Sequence, residues 1–182
     1  MIRTRSPRRA ALALVLALGP LLLGGCAGLR EALSPAPEGV PSGRPGWLVY
    51  TVGALRFEAP ETWRASGSAR KLRLEAPDGN ARLDVSTPEQ PFEGEQACLA
   101  DAEAVLKRGE AMERTRRHPT RFAGARAFSF EGDSAGWHVW AWAACDGGSQ
   151  YQIFFTARTP AGAEAIEAWR TLSSSARIGG QA

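Results

Sequence analysis

Cysteine and histidine are scarce in this chain: Cys26, Cys98 and Cys145 are the only cysteines, and His118 and His138 the only histidines. Neither histidine belongs to a recognisable nucleophile or zinc motif. A metal site built on Cys98 and Cys145 would need two further ligands, and none is spaced to supply them. Long hydrophobic runs are missing too. The apolar run Ala10–Leu23 falls short of the ~20 residues a membrane span requires, and Gly19-Pro20 breaks it. No internal repeat of useful period is present, which excludes a solenoid or propeller. Basic charge is thin once the start of the chain is set aside. Arg3, Arg5, Arg8 and Arg9 precede every acidic residue, and removing these four of the 22 basic residues leaves 18 against 19 acidic, about −1. The pI near 9.0 therefore belongs largely to the first ten residues and argues no nucleic-acid partner.

What is present begins with an address. A basic stretch, the apolar run and then Leu23-Gly24-Gly25-Cys26 have the order of a secretory signal peptide. The last four residues resemble the lipobox of bacterial lipoproteins. That resemblance implies cleavage of a signal peptide at residues 1–25 and lipidation of Cys26, whose thiol is the nucleophile that takes the diacylglycerol. More than one acyl chain then anchors stably, each buried methylene adding ~0.8 kcal/mol. The partner so implied is a membrane, through the lipid on Cys26. Ala27 stands where many Gram-negative lipoproteins carry an aspartate for inner-membrane retention, which favours the outer membrane, facing the periplasm. Residues 26–46 contain Pro35, Pro37, Pro41 and Pro45 with Gly39, Gly43 and Gly46. They read as a semi-extended tether of at most ~60 Å.

Residues 47–178 read as one folded domain, with 179–182 as a disordered tail. Its organising stretch is Trp137–Arg158, two aromatic and β-branched runs flanking Gly147-Gly148, as a tight hairpin requires. A two-residue loop sets Trp142 opposite Ile153, Trp140 opposite Phe155 and Ala144 opposite Tyr151, all on one face. Val139, Ala141, Ala143 and Cys145 occupy the other, small enough for a helix to lie close. Upstream, Trp47–Thr51 with Leu55–Ala59 and Lys71–Ala76 with Ala81–Ser86 predict two hairpins, and Trp63 is expected to plug one end of the core. Cys98, Ala102, Val105, Gly109 and Met112 fall on one helical face, predicting a helix from Glu95 to about Arg108. Ala125–Glu131 is a strand, and Gly132–Gly136 a loop. Thr159-Pro160 supplies a cap and a first-turn proline for a last helix to about Ser173.

Strand runs joined by hairpins, with helices between and after them, predict an α+β domain: a central antiparallel sheet of about six or seven strands with helices packed on its faces. Here a second resemblance enters. Phe57-Glu58-Ala59-Pro60-Glu61-Thr62-Trp63, the mid-chain helix, and the late run Phe128-Ser129-Phe130 with Tyr151-Gln152-Ile153-Phe154-Phe155-Thr156 before a final helix are similar to the PsbP-like α/β/α sandwich. That family includes photosystem II accessory proteins and many bacterial lipoproteins, and the resemblance implies binding or assembly rather than catalysis.

Three features are candidates for function. Cys98 and Cys145 would meet an oxidising compartment after export and are expected to pair. The alternatives are two separate buried thiols or, with no histidine placed to activate one, a catalytic thiol. Trp137, His138, Trp140 and Trp142, with Tyr151 and Phe155, are either core beneath a helix or an apolar cleft for a ligand or partner. Arg114, Arg116, Arg117 and Arg121 dominate residues 107–126; they are either a solvated turn or a patch for an anionic surface or acidic partner. These readings add up to a membrane-anchored envelope lipoprotein with a non-catalytic domain, without cofactor, for a protein or small ligand. The alternatives are a purely structural or assembly lipoprotein, or a hydrolase joining His138 or His118 to a serine such as Ser129 or Ser149.

Overall fold

The computed structural model describes residues 37–107 and 113–179. The signal peptide, Cys26 and most of the expected tether lie outside the described residues, as do Gly109, Met112 and residues 180–182. In chain order the elements are β1 (Val40–Pro41), β2 (Trp47–Val52), β3 (Leu55–Pro60), β4 (Arg64–Ser68), β5 (Lys71–Glu75), β6 (Ala81–Ser86), α1 (Glu95–Lys107), β7 (Glu113–Phe122), β8 (Ala125–Ser134), β9 (Trp137–Asp146), β10 (Ser149–Arg158), α2 (Ala163–Ser175) and β11 (Arg177–Ile178). They make a seven-stranded sheet, β4-β5-β6-β10-β9-β8-β7, and a four-stranded sheet, β1-β2-β3-β11. Every pairing is antiparallel.

The β9–β10 hairpin has the expected register: Trp142 faces Ile153, Trp140 faces Phe155 and Ala144 faces Tyr151. Because successive strand residues alternate between faces, the hairpin builds two cores at once. On one face Ile153, Phe155, Leu83, Val85, Leu72 and Leu74 meet Tyr50, Val52, Leu55 and Phe57 of the small sheet and Ala165, Ala168 and Leu172 of α2. On the other, Val139, Ala141, Ala143 and Cys145 receive Cys98, Ala102 and Leu106 of α1, with Phe130 beside them. Alanines at 141 and 143 are what let α1 approach closely. Trp63 closes one end as expected, 3% exposed, its Nε1 donating to Glu164 Oε1 at 3.3 Å.

Several expectations are corrected. The arginine-rich 113–122 stretch is not a turn but a ten-residue strand at the sheet edge. Edge strands tolerate charge and proline that an interior strand rejects, and Pro119 sits there for that reason. Arg64–Ser68 is the opposite edge, and its short polar sequence carries no strand signature. Strand β8 runs through Gly132, which pairs with Val139, so the expected loop shrinks to the Ala135-Gly136 turn. Thr159-Pro160 is a cis peptide ahead of α2, and the N-cap is Gly162 without a side-chain bond. Finally, paired structure begins inside the stretch read as tether: Val40 pairs with Val49 and Pro41 with Leu48. At the far end Gly179 N, read as tail, donates to Ala54 O at 3.2 Å.

Candidate binding face

Three tryptophans converge where α2 crosses the seven-stranded sheet. Trp140 and Trp142, two residues apart on β9, share a face. Trp169 of α2 lies over both, stacked at 4.2 Å and 12° on Trp142 and at 5.0 Å and 27° on Trp140. Phe122, from the end of β7, covers Trp142 from another side at 4.6 Å. None of the three indoles is fully buried; they are partly buried groups packed against the larger core. Past them the sheet continues into β8, whose register sets Ser129 opposite Trp142, Glu131 opposite Trp140 and Asp133 opposite His138.

His138 joins the aromatic cluster to that acidic border. Its ring stands edge-on to Trp140 at 4.1 Å. Nδ1 lies 2.7 Å from Asp133 Oδ1 and Nε2 3.1 Å from Glu131 Oε1. The three side chains grade outward, 21% exposed for His138, 28% for Asp133 and 50% for Glu131. With both ring nitrogens on carboxylates, His138 has none left for a serine hydroxyl or a metal. Among the described residues no group of three histidine, cysteine or acidic side chains is placed to hold a metal. The face can therefore offer indole edges and carboxylate oxygens to a partner.

The sequence-predicted set divides. His138, Trp140 and Trp142 come together. Trp137, an odd-numbered neighbour on an alternating strand, sits on the opposite face, where the Arg158 guanidinium lies 4.6 Å above its ring; it is no part of this cluster. Tyr151 and Phe155 are core, 3% and 1% exposed. Phe155 supports Trp140 from beneath, edge to face at 5.9 Å. Trp169, Phe122, Glu131 and Asp133 were not anticipated as site residues. The only sequence signal for Trp169 was its helical spacing from Ala165, and for Asp133 and Glu131 the two-residue period of β8 once that strand is extended.

The arginines are distributed along β7, one strand beyond β8. Arg116 opposes Glu131, Arg117 opposes Phe130 and His118 opposes Ser129, while Arg114 falls at a register shift; their side chains lie outside the described structure. Arg121 is spent at the β7–β8 turn, Nη1 donating to Gly124 O at 2.7 Å. On the α1 face, Cys98 and Cys145 form a disulfide. Beside it, Gln150, 1% exposed, donates from Nε2 to Cys98 O and to Asp101 Oδ2 and accepts from Gln152 Nε2. A buried amide is thereby satisfied rather than stranded.

Cavities indent the surface elsewhere among the described residues. One, about 560 Å³, lies among Gly53, Arg70, loop residues 87–91 and Ser149–Tyr151. A second, about 350 Å³, lies between the β5–β6 turn, the end of β10 and the start of α2. A third, about 200 Å³, lies between α1 and the β7–β8 hairpin. Among the described residues His138 lines none of them, and Ser149 lines the first without His138 beside it.

No protein-family model and no curated protein matches the chain. Solved structures do. The solution structure of cyanobacterial PsbP (CyanoP) from Synechocystis sp. PCC 6803 matches with a TM-score of 0.52 at 14% identity, over 75% of this chain and 95% of that one. The fold is PsbP-like. A crystal structure of a Bacteroides thetaiotaomicron VPI-5482 protein matches with a TM-score of 0.50 at 9% identity over 75% of this chain. The chain spans about half of that protein, 49% of its length. At such identities the likeness is one of fold, and it agrees with the α+β sandwich expected from the order of elements.

Proposed function

We propose that this is a lipid-anchored envelope protein, held in the membrane through Cys26, whose PsbP-like body is a non-catalytic binding or accessory domain. The observation that carries the reading is the Cys98–Cys145 disulfide. Such bridges persist in compartments outside the reducing cytosol, as the signal peptide and lipobox require. It also uses both cysteines of the body, so that Cys26, at the end of the apolar run, is the third and last thiol of the chain. Ala27 favours the outer membrane. The tryptophan–carboxylate face and the neighbouring arginine strand are the surface offered to a partner protein. Aromatic groups supply contact area at little entropic cost.

Acyl labelling of cells with the mass of the mature N-terminus tests the anchor. Labelled protein beginning at Cys26 is expected, and Cys26→Ala is expected to accumulate as unlabelled precursor; normal maturation of that variant would sink the reading. One observation favours a competitor. The register sets His118 opposite Ser129, the pair a hydrolase would need. Covalent labelling of Ser129 by a fluorophosphonate probe would replace the binding reading with that one.

A further inference from the structure

We propose that the half of the seven-stranded sheet left open by α1, the outer face of β4, β5, β6 and the last residues of β10, is a basic surface that lies on anionic lipid headgroups. This rests on the anchored reading above and adds a second contact with the same bilayer, at a surface separate from the tryptophan face. The alternation that sends Leu72, Leu74, Leu83 and Val85 into the larger core turns their neighbours the other way. The registers set Lys71 opposite Ser86, Arg73 opposite Asp84, and Glu75 opposite both Arg82 and Arg64. Strand β10 continues the face, with Phe154 opposite Asp84 and Thr156 opposite Arg82. Helix α1 rests on β8, β9 and β10, and Phe154 packs against its core. Beyond Phe154 the face carries Arg64, Lys71, Arg73 and Arg82, with Arg158 at the end of β10, all exposed. Glu75 and Asp84 oppose them, which leaves an excess of three positive charges among the described residues.

Asp84 gives this face an order that scattered surface charge lacks. Its Oδ1 lies 2.6 Å from Arg73 Nε and its Oδ2 2.8 Å from Arg82 Nε. One carboxylate, 26% exposed, thus holds two guanidiniums that are 49% and 44% exposed. Each is held by its Nε, and among the described residues the Nη groups of both have no protein partner. They remain as donors for phosphate oxygens, which planar guanidinium forks match.

Shape and chemistry select a bilayer over a protein. The cations spread over four adjacent strands, roughly 14 Å at the ~4.8 Å strand spacing, so no single small anion meets them all. A stable protein interface has an apolar core with charge kept to its rim. Here the charges hold the middle, and Phe154 and Trp137 lie at the border. A plane of headgroups needs no apolar core, because each basic residue near an anionic leaflet contributes separately. Trp137, partly buried beneath the Arg158 guanidinium at 4.6 Å, is the kind of aromatic group that settles at a membrane interface. The tether permits the arrangement. Strand β1 lies in the small sheet, on the opposite side of the seven-stranded sheet. Residues 26–40 reach at most roughly 50 Å, several times the ~10 Å between stacked sheets. The tryptophan face, also on that opposite side, is then left free for a partner.

The test uses the mature protein from its host's membranes, reconstituted in phosphatidylcholine vesicles with or without about 30% phosphatidylglycerol. A fluorophore is placed at Ser66→Cys, exposed on β4, or at the control position Ser173→Cys, exposed on α2. A nitroxide on the headgroup of a minor lipid quenches the fluorophore on contact. Quenching at position 66 but not at 173 is expected, with anionic vesicles alone, and is lost in about 1 M salt. Lys71→Gln with Arg73→Gln is expected to lower the docked-to-free ratio about thirtyfold. Arg56→Gln with Arg170→Gln, an equal change of charge at exposed positions elsewhere, should leave it unchanged. Equal quenching at both labels, equal loss in both pairs of variants, or no difference between neutral and anionic vesicles would overturn the proposal. So would a cross-link from position 66 to a protein in host membranes without quenching in protein-free vesicles, which would put an acidic protein in place of the lipid. The label contrast is read on protein with its native charges, so a charge variant that fails to fold leaves the question decidable. Flotation with neutral vesicles reads the anchor at Cys26 separately, so failure here and failure of the anchor cannot be confused.

Discussion

Single residues carry several of the constraints on this fold. Gly147 and Gly148 look equivalent in sequence but do different work. Gly147 has φ of 58° with open space around it, whereas a Cβ on Gly148 would collide with the Phe92 carbonyl oxygen. Phe92 N in turn donates to Gly148 O at 2.8 Å, tying the loop ahead of α1 to the hairpin. Gly148→Ala is therefore expected to destabilise by about 1–3 kcal/mol, read as a lower denaturant midpoint with an unchanged slope. Asp78 gives a pH signature. Bonds from Asn80 place its carboxyl below the ordinary 3.8, so its folded form holds fewer protons than its unfolded form. Its contribution to stability is then fully present above 3.8 and disappears as pH falls through the lower folded value. Carboxyl NMR should find its midpoint below 3.8, with Asn80→Ala moving it upward; a midpoint at or above the ordinary value would contradict the assignment.

Among the elements, α1 depends most on a covalent tie. Its buried stripe is small, Cys98, Ala102, Val105 and Leu106, and the disulfide fastens it to β9. Residues 98 and 145 are 47 apart. Replacing both cysteines by serine is expected to cost roughly 3–4 kcal/mol, and in hydrogen exchange the α1 amides should lose protection before those of β9 and β10. Loss of protection across the whole sheet at the same rate would show that α1 is not a separable unit. Elements also show where sequence reading works. The β9–β10 register followed from alternation and a Gly-Gly turn, because interior strands must bury one apolar set on each face. The edges, β4 and β7, did not announce themselves, since an edge strand is exposed on one side and is selected for charge and short polar residues. The same reason hid Glu131 and Asp133: their strand continues through Gly132, which reads as a loop when its partner Val139 is unknown.

At the level of the molecule, the arrangement is two cores on opposite faces of one sheet, of which the larger is shared with a second, smaller sheet. Alternation in the central hairpin made both faces legible. That the first hairpin would leave the main sheet and pair with β1 and β11 was not, because strand partners distant in sequence leave no local trace. The candidate face was half legible for a similar reason. Its β9 residues, His138, Trp140 and Trp142, belong to one alternating run, whereas Trp169 arrives from a helix whose landing point depends on the whole fold.

The β1–β2 contact has a mechanical meaning. Among the described residues Val40 and Pro41 are the paired residues nearest Cys26 along the chain, and Ser42 N to Trp47 O closes the turn behind them at 3.1 Å. Arg44 fastens that turn to α2 through Thr171 and Glu167. In a protein anchored as proposed, tension between membrane and body arrives at Val40 and opens this clasp one bond at a time, as a zipper opens, rather than shearing a long strand. Yielding frees residues 40–46, roughly 24 Å of added reach, before any strand of the seven-stranded sheet bears load. Under the proposed anchor the clasp would act as a shock absorber, yielding a few exposed bonds while the body stays folded.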